Sequence, residues 1–271
     1  MQIIGQRTVL NHINELISED KLPHFIILTG PVGSGKKTIA KYIADSLGVE
    51  FVLYGNKVDD IRSLIDLCYS QTDNIVYCIS DGQDMSVIAK NSMLKVVEEP
   101  PKNAYIIFTT TGENTLATIK SRGIEIILQS YSYPELKQVL VDKAQPDIID
   151  IILQCATTPG ECIEMTQLNL KEIIELVDVF VTNIDRASIG NALKITSKLA
   201  IKEGQSGVNL KYFTKFLAAK YFELCKATDS KTLFEKYLKI YNYIRNSISD
   251  LNKNYNKGSI IDNLILNIKN A

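Results

Sequence analysis

The sequence is poor in the residues that build metal sites and disulfide frameworks. It has two histidines and five cysteines in 271 residues, and no two cysteines are spaced as C-x-x-C. The histidines, His12 and His24, lie far from the nearest pair of cysteines. A zinc site or a disulfide framework is therefore not expected, and the cysteines are interpreted as buried free thiols.

Long apolar runs and a strong excess of charge are also missing. No segment has the roughly 18 consecutive apolar residues that a membrane span needs, and residues 1–5 have no basic or apolar signal region. The net charge of −1 excludes a strongly basic nucleic-acid clamp, so any contact with DNA would depend on a few local residues. We expect a cytoplasmic protein with no membrane partner.

The apolar pattern predicts an α/β protein. Up to residue 130, short apolar runs alternate with helical spacing, which indicates βαβ units and a parallel sheet. Strands are predicted at 25–29, 74–79, 105–110 and 124–128, and helices at 6–17, 37–47 and 87–97, with a further helix starting at 58. Beyond Pro134 the strand signals end. Short helices are predicted over 135–168, and long ones at 170–184, 186–202, 209–226 and 231–248.

One glycine-rich segment has the composition of a phosphate-binding P-loop, and it lies between a predicted strand and a predicted helix. Its residues are Gly30, Pro31, Val32, Gly33, Ser34, Gly35 and Lys36. Backbone N–H groups of such a loop cradle phosphate oxygens, the helix N-terminus adds partial positive charge, and the lysine reaches the terminal phosphates. The segment predicts binding of ATP or ADP. The alternative is a glycine-rich turn without a ligand.

The positions that hold Mg²⁺ in an active P-loop site carry other residues here. Lys37 occupies the place of the Ser or Thr that follows the P-loop lysine, and Thr38 comes one residue late. One residue rotates a helical side chain by about 100°, so Thr38 is not expected to replace the missing ligand. Lys37 could instead neutralise phosphate charge without metal. The strand at 74–79 is followed by Ser80 and Asp81 instead of an acidic pair, so we expect slow or absent hydrolysis.

Several further motifs resemble those of clamp-loader ATPases of the AAA+ class. They occur in the family's order, and the one at 91–101, which is close to NALLKxLEEPP, is the most specific. The motifs are Ile3–Gln6, Leu22–His24, Val58–Arg62, Asn91–Pro101 and Ile119–Arg122. The chain thus resembles bacterial DNA polymerase III subunits of the delta-prime, gamma/tau and phage clamp-loader types. This resemblance implies an AAA+ P-loop domain at 1–130, a small helical lid at 131–168 and a helical collar domain at 169–271.

The resemblance also implies roles for single residues. Ile4 belongs to the motif that contacts adenine, and Asp81 is what is left of the acidic pair. Arg122 matches the arginine that projects into a neighbouring subunit's ATP site, an arginine finger; its alternative is a surface arginine paired with a carboxylate. Thr110 or Thr111 falls at the sensor-1 position. The implied partners are the other subunits of a hetero-oligomeric ring, a sliding clamp and primed DNA.

The degraded ATP site combined with the retained Arg122 favours a stator of the delta-prime type over a motor, and two departures from the family pattern narrow the subtype. Glu161 stands near the place of the sensor-2 arginine, where it would repel phosphates. The family's four-cysteine zinc module is missing between the P-loop and the next acidic strand. Weak contacts with the DNA backbone would fall to Lys57, Lys90 and Lys95, unless these are ordinary surface lysines.

Three alternatives remain open at this level. The first is a catalytically active, gamma-like clamp-loader motor with unusual metal ligation. The second is a small-molecule kinase that shares only the P-loop. The third is a non-replicative scaffold built on the AAA+ fold, which fold alone does not exclude.

Overall fold

The computed structural model of this protein describes residues 3–192, 210–251 and 256–271. Its residues group into two compact units. The first comprises Met1–Val139 with Thr157–Glu161, and the second comprises Leu140–Ala156 with Cys162–Ala271. The three-part division expected from the sequence stays a prediction.

The first unit is built on a five-stranded parallel sheet with the strand order β2-β3-β4-β1-β5. Its strands are β1 Phe25–Thr29, β2 Glu50–Tyr54, β3 Ile75–Ile79, β4 Ala104–Thr110 and β5 Ile124–Ile127. Because all pairs are parallel, the carboxyl ends of the strands lie along one edge of the sheet. That edge of an open α/β sheet is where ligands bind.

Helices cover both faces of this sheet. They are α1 Arg7–Ser18, α2 Lys36–Leu47, α3 Val58–Ser70, α4 Val87–Glu98 and α5 Ala117–Lys120, with a short 3₁₀ turn at Gly82–Asp84. Helix α6, Tyr133–Leu140, follows the last strand. Alternate residues of a strand point to opposite faces. Phe25 and Ile27 therefore join one apolar cluster with α3 and α4, whereas Ile26 and Leu28 join another with α1 and α2. The result is a three-layer arrangement.

The second unit is helical throughout its described residues. Its helices are α7 Pro146–Leu153, α8 Pro159–Thr166, α9 Leu170–Ile184, α10 Leu210–Ala227, α11 Lys231–Leu251 and α12 Lys257–Lys269; the first turn of α8 belongs to the first unit. Helix α10 packs against α9 and α11, and α11 also packs against α12. Phe180 and Phe213 meet edge to face, with ring centroids 5.8 Å apart. In the part of the chain that the structure describes, no helix combines the length and apolarity that a membrane crossing requires.

The predicted α/β class is confirmed, and all four predicted strands are present. The strand β2 and the helix α12 were not predicted. Strand β2 is at the edge of the sheet and only half-buried, although Phe51–Tyr54 form an apolar run of the kind that indicates a strand. Of the helix predicted at 186–202, residues 193–202 lie outside the described residues.

Candidate functional site

The glycine-rich loop leaves β1 at the carboxyl edge of the sheet. Gly30 N donates to Thr110 O over 3.1 Å, which ties the start of the loop to β4. Gly33 and Gly35 have φ angles of 78° and 87°, a region that glycine enters without steric cost. Gly35 then precedes the first residue of α2. These glycines allow the backbone to curl around the N-terminus of that helix, as a phosphate-binding loop requires.

The Lys36 side chain lies inside the curl of the loop. Its ammonium donates to Gly30 O over 2.6 Å and to Pro31 O over 2.7 Å. Burial lowers the pKa of Lys36 from 10.5 to about 8; Asp81 opposes this shift and Lys37 adds to it. The Lys36 ammonium is therefore held inside the loop by two backbone carbonyls, where burial disfavours its charged form.

A second polar group of the loop is buried without a partner. Ser34 is 1% exposed, and its hydroxyl oxygen has no hydrogen-bond partner among the described residues. A Cβ on Gly30 would lie 2.9 Å from that oxygen, so the hydroxyl is next to the start of the loop. Buried polar groups are normally hydrogen-bonded, and an unsatisfied one inside a P-loop is a donor available to a phosphate oxygen.

The outer side of the loop is held by three groups that are distant in sequence. Thr158 Oγ1 donates to Val32 O over 3.1 Å, and Gly160 N donates to Gly33 O over 2.9 Å. The Tyr131 hydroxyl donates to Ser34 O over 2.9 Å. Together they fix the carbonyls of three consecutive loop residues. Contacts of Tyr131 and Thr158 with the loop were not predicted, because no local sequence pattern indicates that these residues reach it.

The Glu161 carboxylate contacts the start of helix α8. It accepts hydrogen bonds from Thr157 N and Thr157 Oγ1, each over 3.0 Å, and Glu161 N donates to Thr158 Oγ1 over 3.3 Å. This arrangement resembles a capping box, in which side chains satisfy the free N–H groups of a first helical turn. A local structural role thus accounts for Glu161, and repulsion of phosphates by it stays a prediction.

The two residues that depart from the metal-binding pattern contact each other. Lys37 Nζ and Asp81 Oδ2 form an ion pair at 3.0 Å, although they are 44 residues apart in sequence. Both side chains are about half exposed. The backbone of Asp81 is in the left-handed region at φ 55°, and its N–H donates to Thr109 Oγ1 over 3.2 Å. Thr109 is fully buried and connects β4 to Asp81, a role that sequence reasoning missed.

The donor set next to the P-loop does not fit Mg²⁺. The Ser80 hydroxyl donates to Tyr54 O over 3.0 Å and is thus committed to β2. The Asp81 carboxylate is paired with Lys37, whose ammonium has no lone pair for a metal. Across 3–192, 210–251 and 256–271, no group of three or more His, Cys, Asp or Glu residues could hold a metal ion. In a P-loop site Mg²⁺ takes a hydroxyl and a carboxylate from the protein and its other ligands from phosphates and water, and neither protein ligand is available here.

The N-terminal motif is connected to the P-loop through Tyr131. Gly5 has a φ of 72°, and a Cβ at this position would lie 2.9 Å from the Tyr131 ring. Gln6 is buried and its side-chain amide makes paired hydrogen bonds, at 2.6 and 2.9 Å, with the backbone of Gln129. Ile4 is half-buried next to these residues. Thr38 is half-buried within α2.

Arg122 is tied to its own chain. Its guanidinium forms an ion pair with Glu98, and Nη1 donates to Thr118 O over 2.5 Å. The side chain is 27% exposed, and its buried Nε has no partner among the described residues. Glu98 belongs to the motif at 91–101, so two motifs identified separately in the sequence meet here. The geometry matches the alternative interpretation, an arginine paired with a carboxylate, and leaves one donor unused.

The sensor-1 candidates lie at the end of β4 and just after it. Thr110 is fully buried, and its hydroxyl is 3.0 Å from the Thr115 hydroxyl. Thr111 N donates to Gln83 Oε1 over 3.1 Å. Neither hydroxyl has a described contact with the P-loop, whereas the neighbouring Thr109 is bonded to Asp81. A sensor role for Thr110 or Thr111 stays a prediction.

One of the three lysines considered for DNA contact is placed differently from expectation. Lys90 is 4% exposed, and its ammonium donates to Asn114 O over 2.6 Å. Burial lowers the pKa of Lys90, an effect that Asp84 opposes. It is neither a solvated surface lysine nor free to bind a phosphate, so this interpretation was wrong. Lys57 and Lys95 are exposed.

Comparisons with known proteins bear on the part of the chain around this site. The family described as "DNA polymerase III, delta subunit" matches residues 55–132. DNA polymerase III subunit gamma of Buchnera aphidicola subsp. Schizaphis graminum is 29% identical over 167 residues, 50% of this chain and 46% of that protein. DNA polymerase III subunit gamma/tau of Mycoplasma genitalium is 24% identical over 213 residues, 65% of this chain and 34% of that protein. This chain spans about half, or less, of the length of these relatives.

Two solved structures from Thermotoga maritima have a similar fold. One is a DNA polymerase III gamma subunit-related protein, with a TM-score of 0.54 and 15% identity, matched over 95% of this chain and 98% of that chain. The other is the RuvB Holliday junction branch migration motor, with a TM-score of 0.51 and 20% identity over 81% of this chain and 78% of that chain. These matches confirm the α/β AAA+ fold. Together with the sequence matches, they confirm the resemblance to the clamp-loader AAA+ family.

Proposed function

We propose that this chain is a subunit of the loader that places a sliding clamp on primed DNA for a replicative DNA polymerase. It acts as a stator of the delta-prime type and hydrolyses ATP slowly or not at all. The observation that carries this proposal is a P-loop that keeps its glycines and Lys36, next to a Lys37–Asp81 ion pair in place of metal ligands. Such a site retains the means to hold phosphates and lacks the means to activate them.

The proposed partners follow from the family resemblance. They are the other subunits of a hetero-oligomeric ring in the cytoplasm, the sliding clamp and primed DNA. The helical second unit would serve as the collar that joins the subunits. Lys57 and Lys95 are exposed and suit weak contacts with backbone phosphates, which position a protein without reading sequence.

In this proposal Arg122 donates its guanidinium to a neighbour's ATP site. To do so it must exchange Glu98 for phosphate oxygens, which also accept two parallel N–H groups. The pair with Glu98 is partly exposed, and exposed ion pairs contribute little to stability. The phosphate oxygens would replace the carboxylate as acceptors, which is compatible with a finger that engages only when a neighbour is present.

Within the nucleotide site, the loop residues have separate roles. Lys36 and the Ser34 hydroxyl contact phosphate oxygens, and the backbone N–H groups of Gly33 and Gly35 donate hydrogen bonds to them. Ile4 contacts the adenine base, as the family resemblance implies. Thr109 and Thr158 contact no ligand; they position Asp81 and the loop.

The test is reconstitution with a cognate motor subunit, sliding clamp and primed DNA. Stable assembly and faster ATP hydrolysis by the motor are expected when this chain is added. A gamma-like motor would instead show Mg²⁺-dependent hydrolysis by the isolated chain. If no complex forms and hydrolysis is not stimulated, the replication role is contradicted and a non-replicative AAA+ scaffold is favoured. A small-molecule kinase does not account for the match at residues 55–132.

We expect nucleotide affinity to fall as the pH rises above about 8. Below that pH Lys36 is charged in the folded protein; above it the ammonium loses its proton and its attraction for phosphate, by up to tenfold in affinity per pH unit. Bound phosphate raises the pKa of Lys36 and sets the upper end of this range. Dissociation constants for ATP between about pH 7 and 9.5 measure the effect.

The matched control is Lys36→Arg, because guanidinium stays charged over this range and gives a flat profile. The titratable groups near Lys36 are Asp81, Lys37 and Tyr131, and burial raises the pKa of Tyr131. The pH dependence of folding stability has the opposite sign to that of nucleotide affinity. Between about pH 8 and 10.5 the unfolded chain binds more protons at Lys36, so its contribution to the free energy of unfolding rises with pH. A wild-type affinity that does not change with pH would contradict a phosphate contact by Lys36.

A further inference from the structure

We infer that the Lys37–Asp81 ion pair takes the place of the metal ion, so that this P-loop binds nucleoside polyphosphates without a divalent cation. The inference rests on the nucleotide-binding role proposed above and specifies how the phosphate charge is balanced. It starts from the misfit between the donor set of this site and Mg²⁺.

The position of the pair follows from the sheet. Lys37 is in the first turn of α2, directly after the P-loop lysine, where the metal-binding hydroxyl stands in active sites. Ser80 follows β3 at the place of the acidic metal ligand, and Asp81 is at the place of the neighbouring glutamate that polarises the attacking water. The two positions that would contact the ion thus carry Lys37 and Ser80, and Asp81 pairs with Lys37 at 3.0 Å. The ammonium is therefore held by the residue next to the missing metal ligand.

The Lys37 ammonium has N–H donors that Asp81 does not use and that can bind a ligand. A lysine ammonium carries three N–H donors, and Asp81 takes one of them. Lys37 is about half exposed, so its remaining donors are accessible to a ligand. Lys37 can therefore contact a phosphate oxygen while Asp81 still orients it. The unpaired Ser34 hydroxyl adds an uncharged donor to the same loop.

Charge balance supports the same conclusion. Lys36, Lys37 and Asp81 together leave one net positive charge at the loop. A conventional site with one lysine, two acidic residues and Mg²⁺ has the same net charge, because the two charges of the metal offset both carboxylates. Here Ser80 and Lys37 remove one negative charge and add one positive charge, which matches the two charges of the missing ion. The changes compensate each other electrostatically, although no catalytic metal remains.

The first experiment is calorimetric titration of the full chain with ATP and with ADP, in EDTA and in excess MgCl₂. Equal or tighter binding in EDTA is expected, because Mg²⁺ masks phosphate charge on the nucleotide and gains no ligands from the protein. Binding at least tenfold tighter with Mg²⁺ would overturn the inference. Absence of binding under both conditions would overturn it as well, whereas the reconstitution assay would still decide the clamp-loader role.

Asp81→Asn separates the two interpretations by the sign of its effect. If Asp81 only orients Lys37, removing its negative charge raises ATP affinity a few fold, with or without Mg²⁺. If Asp81 binds Mg²⁺, the same change lowers affinity when Mg²⁺ is present. Lower affinity in MgCl₂ than wild type therefore contradicts the inference.

Lys37→Ala tests the proposed phosphate contact directly. A lost charge-assisted hydrogen bond corresponds to about a tenfold loss of ATP affinity in EDTA. The matched control is Lys41→Ala, which removes an exposed lysine one turn further along α2 and is expected to leave affinity within about twofold. An equal, small effect of both changes would show that Lys37 does not contact the ligand. Because the wild-type comparison needs no variant, misfolding of one would not affect it.

Discussion

Arg122→Ala is expected to lower the stimulated ATP hydrolysis of a neighbouring motor subunit by about 10³-fold while ring assembly persists. An arginine supplied in trans stabilises the charge of the phosphoryl-transfer transition state and contributes on the order of 10³ or more to the rate. Glu98 and Thr118 now hold this guanidinium, so within the chain itself the change removes one partly exposed ion pair and one hydrogen bond to a backbone carbonyl. Steady-state hydrolysis and the elution volume of the reconstituted complex measure the two properties separately.

Three variants control for other effects of that change. Arg122→Lys keeps the charge and loses the planar pair of donors, so it is expected to recover only a small part of the rate. Arg62→Ala removes an exposed arginine that is 3.7 Å from Asp59, and it should leave the rate unchanged. Glu98→Gln frees Arg122 and should not reduce stimulation. If Arg122→Ala lowers the melting temperature and leaves stimulated hydrolysis intact, the arginine serves only its pair with Glu98.

The location of the site could be predicted from the sequence because its signals are local. The strand β1 is a continuous apolar run followed directly by the glycine-rich loop, and glycine has a specific conformational role there. The lysine of the loop is fixed by its spacing from those glycines. Residue identity and spacing along the chain were therefore enough to place the P-loop between β1 and α2.

The contacts within the site could not be predicted because they depend on the order of the strands. Strands β1 and β3 are separated by β4, and the loops that follow β1 and β3 meet only because all three are parallel. From the sequence alone, Lys37 and Asp81 were two separate departures from the metal-binding pattern. In the structure they form one ion pair, and the two substitutions have a common electrostatic explanation.

Amphipathic patterns were misleading where a long polar side chain enters the interior. Lysine is the residue type expected at an exposed helical position, yet the Lys90 ammonium donates to the carbonyl of Asn114, whose φ is 53°. Lysine can bury its aliphatic stem and satisfy its charge at a backbone oxygen. A sequence pattern shows the residue type but not which distant backbone carbonyl accepts its hydrogen bond.

Gly82→Ala is expected to destabilise the first unit by about 3 kcal/mol, near the upper end for overpacked cores. A Cβ at this position would lie 2.0 Å from Cζ and 2.4 Å from Cε2 of Phe108. Phe108 is on β4 and fully buried, so its ring has no free space to move into. Urea denaturation followed by circular dichroism measures the change, read from the midpoint at constant slope. The control is Gly190→Ala, which meets no atom within 4 Å and should change stability by less than about 0.5 kcal/mol.

Phe108→Leu distinguishes the clash with the ring from strain in the backbone. Leucine is smaller than phenylalanine, so the double variant should be more stable than the sum of the single effects predicts, with a coupling of about 1–3 kcal/mol. Additive effects would contradict the clash and place the constraint in the 3₁₀ turn, Gly82–Asp84, itself. That turn begins directly after Asp81, whose backbone is already left-handed at φ 55°. A backbone constraint would therefore also displace Asp81 and weaken its pair with Lys37, whereas a clash confined to the ring would lower stability and leave the affinity for ATP unchanged.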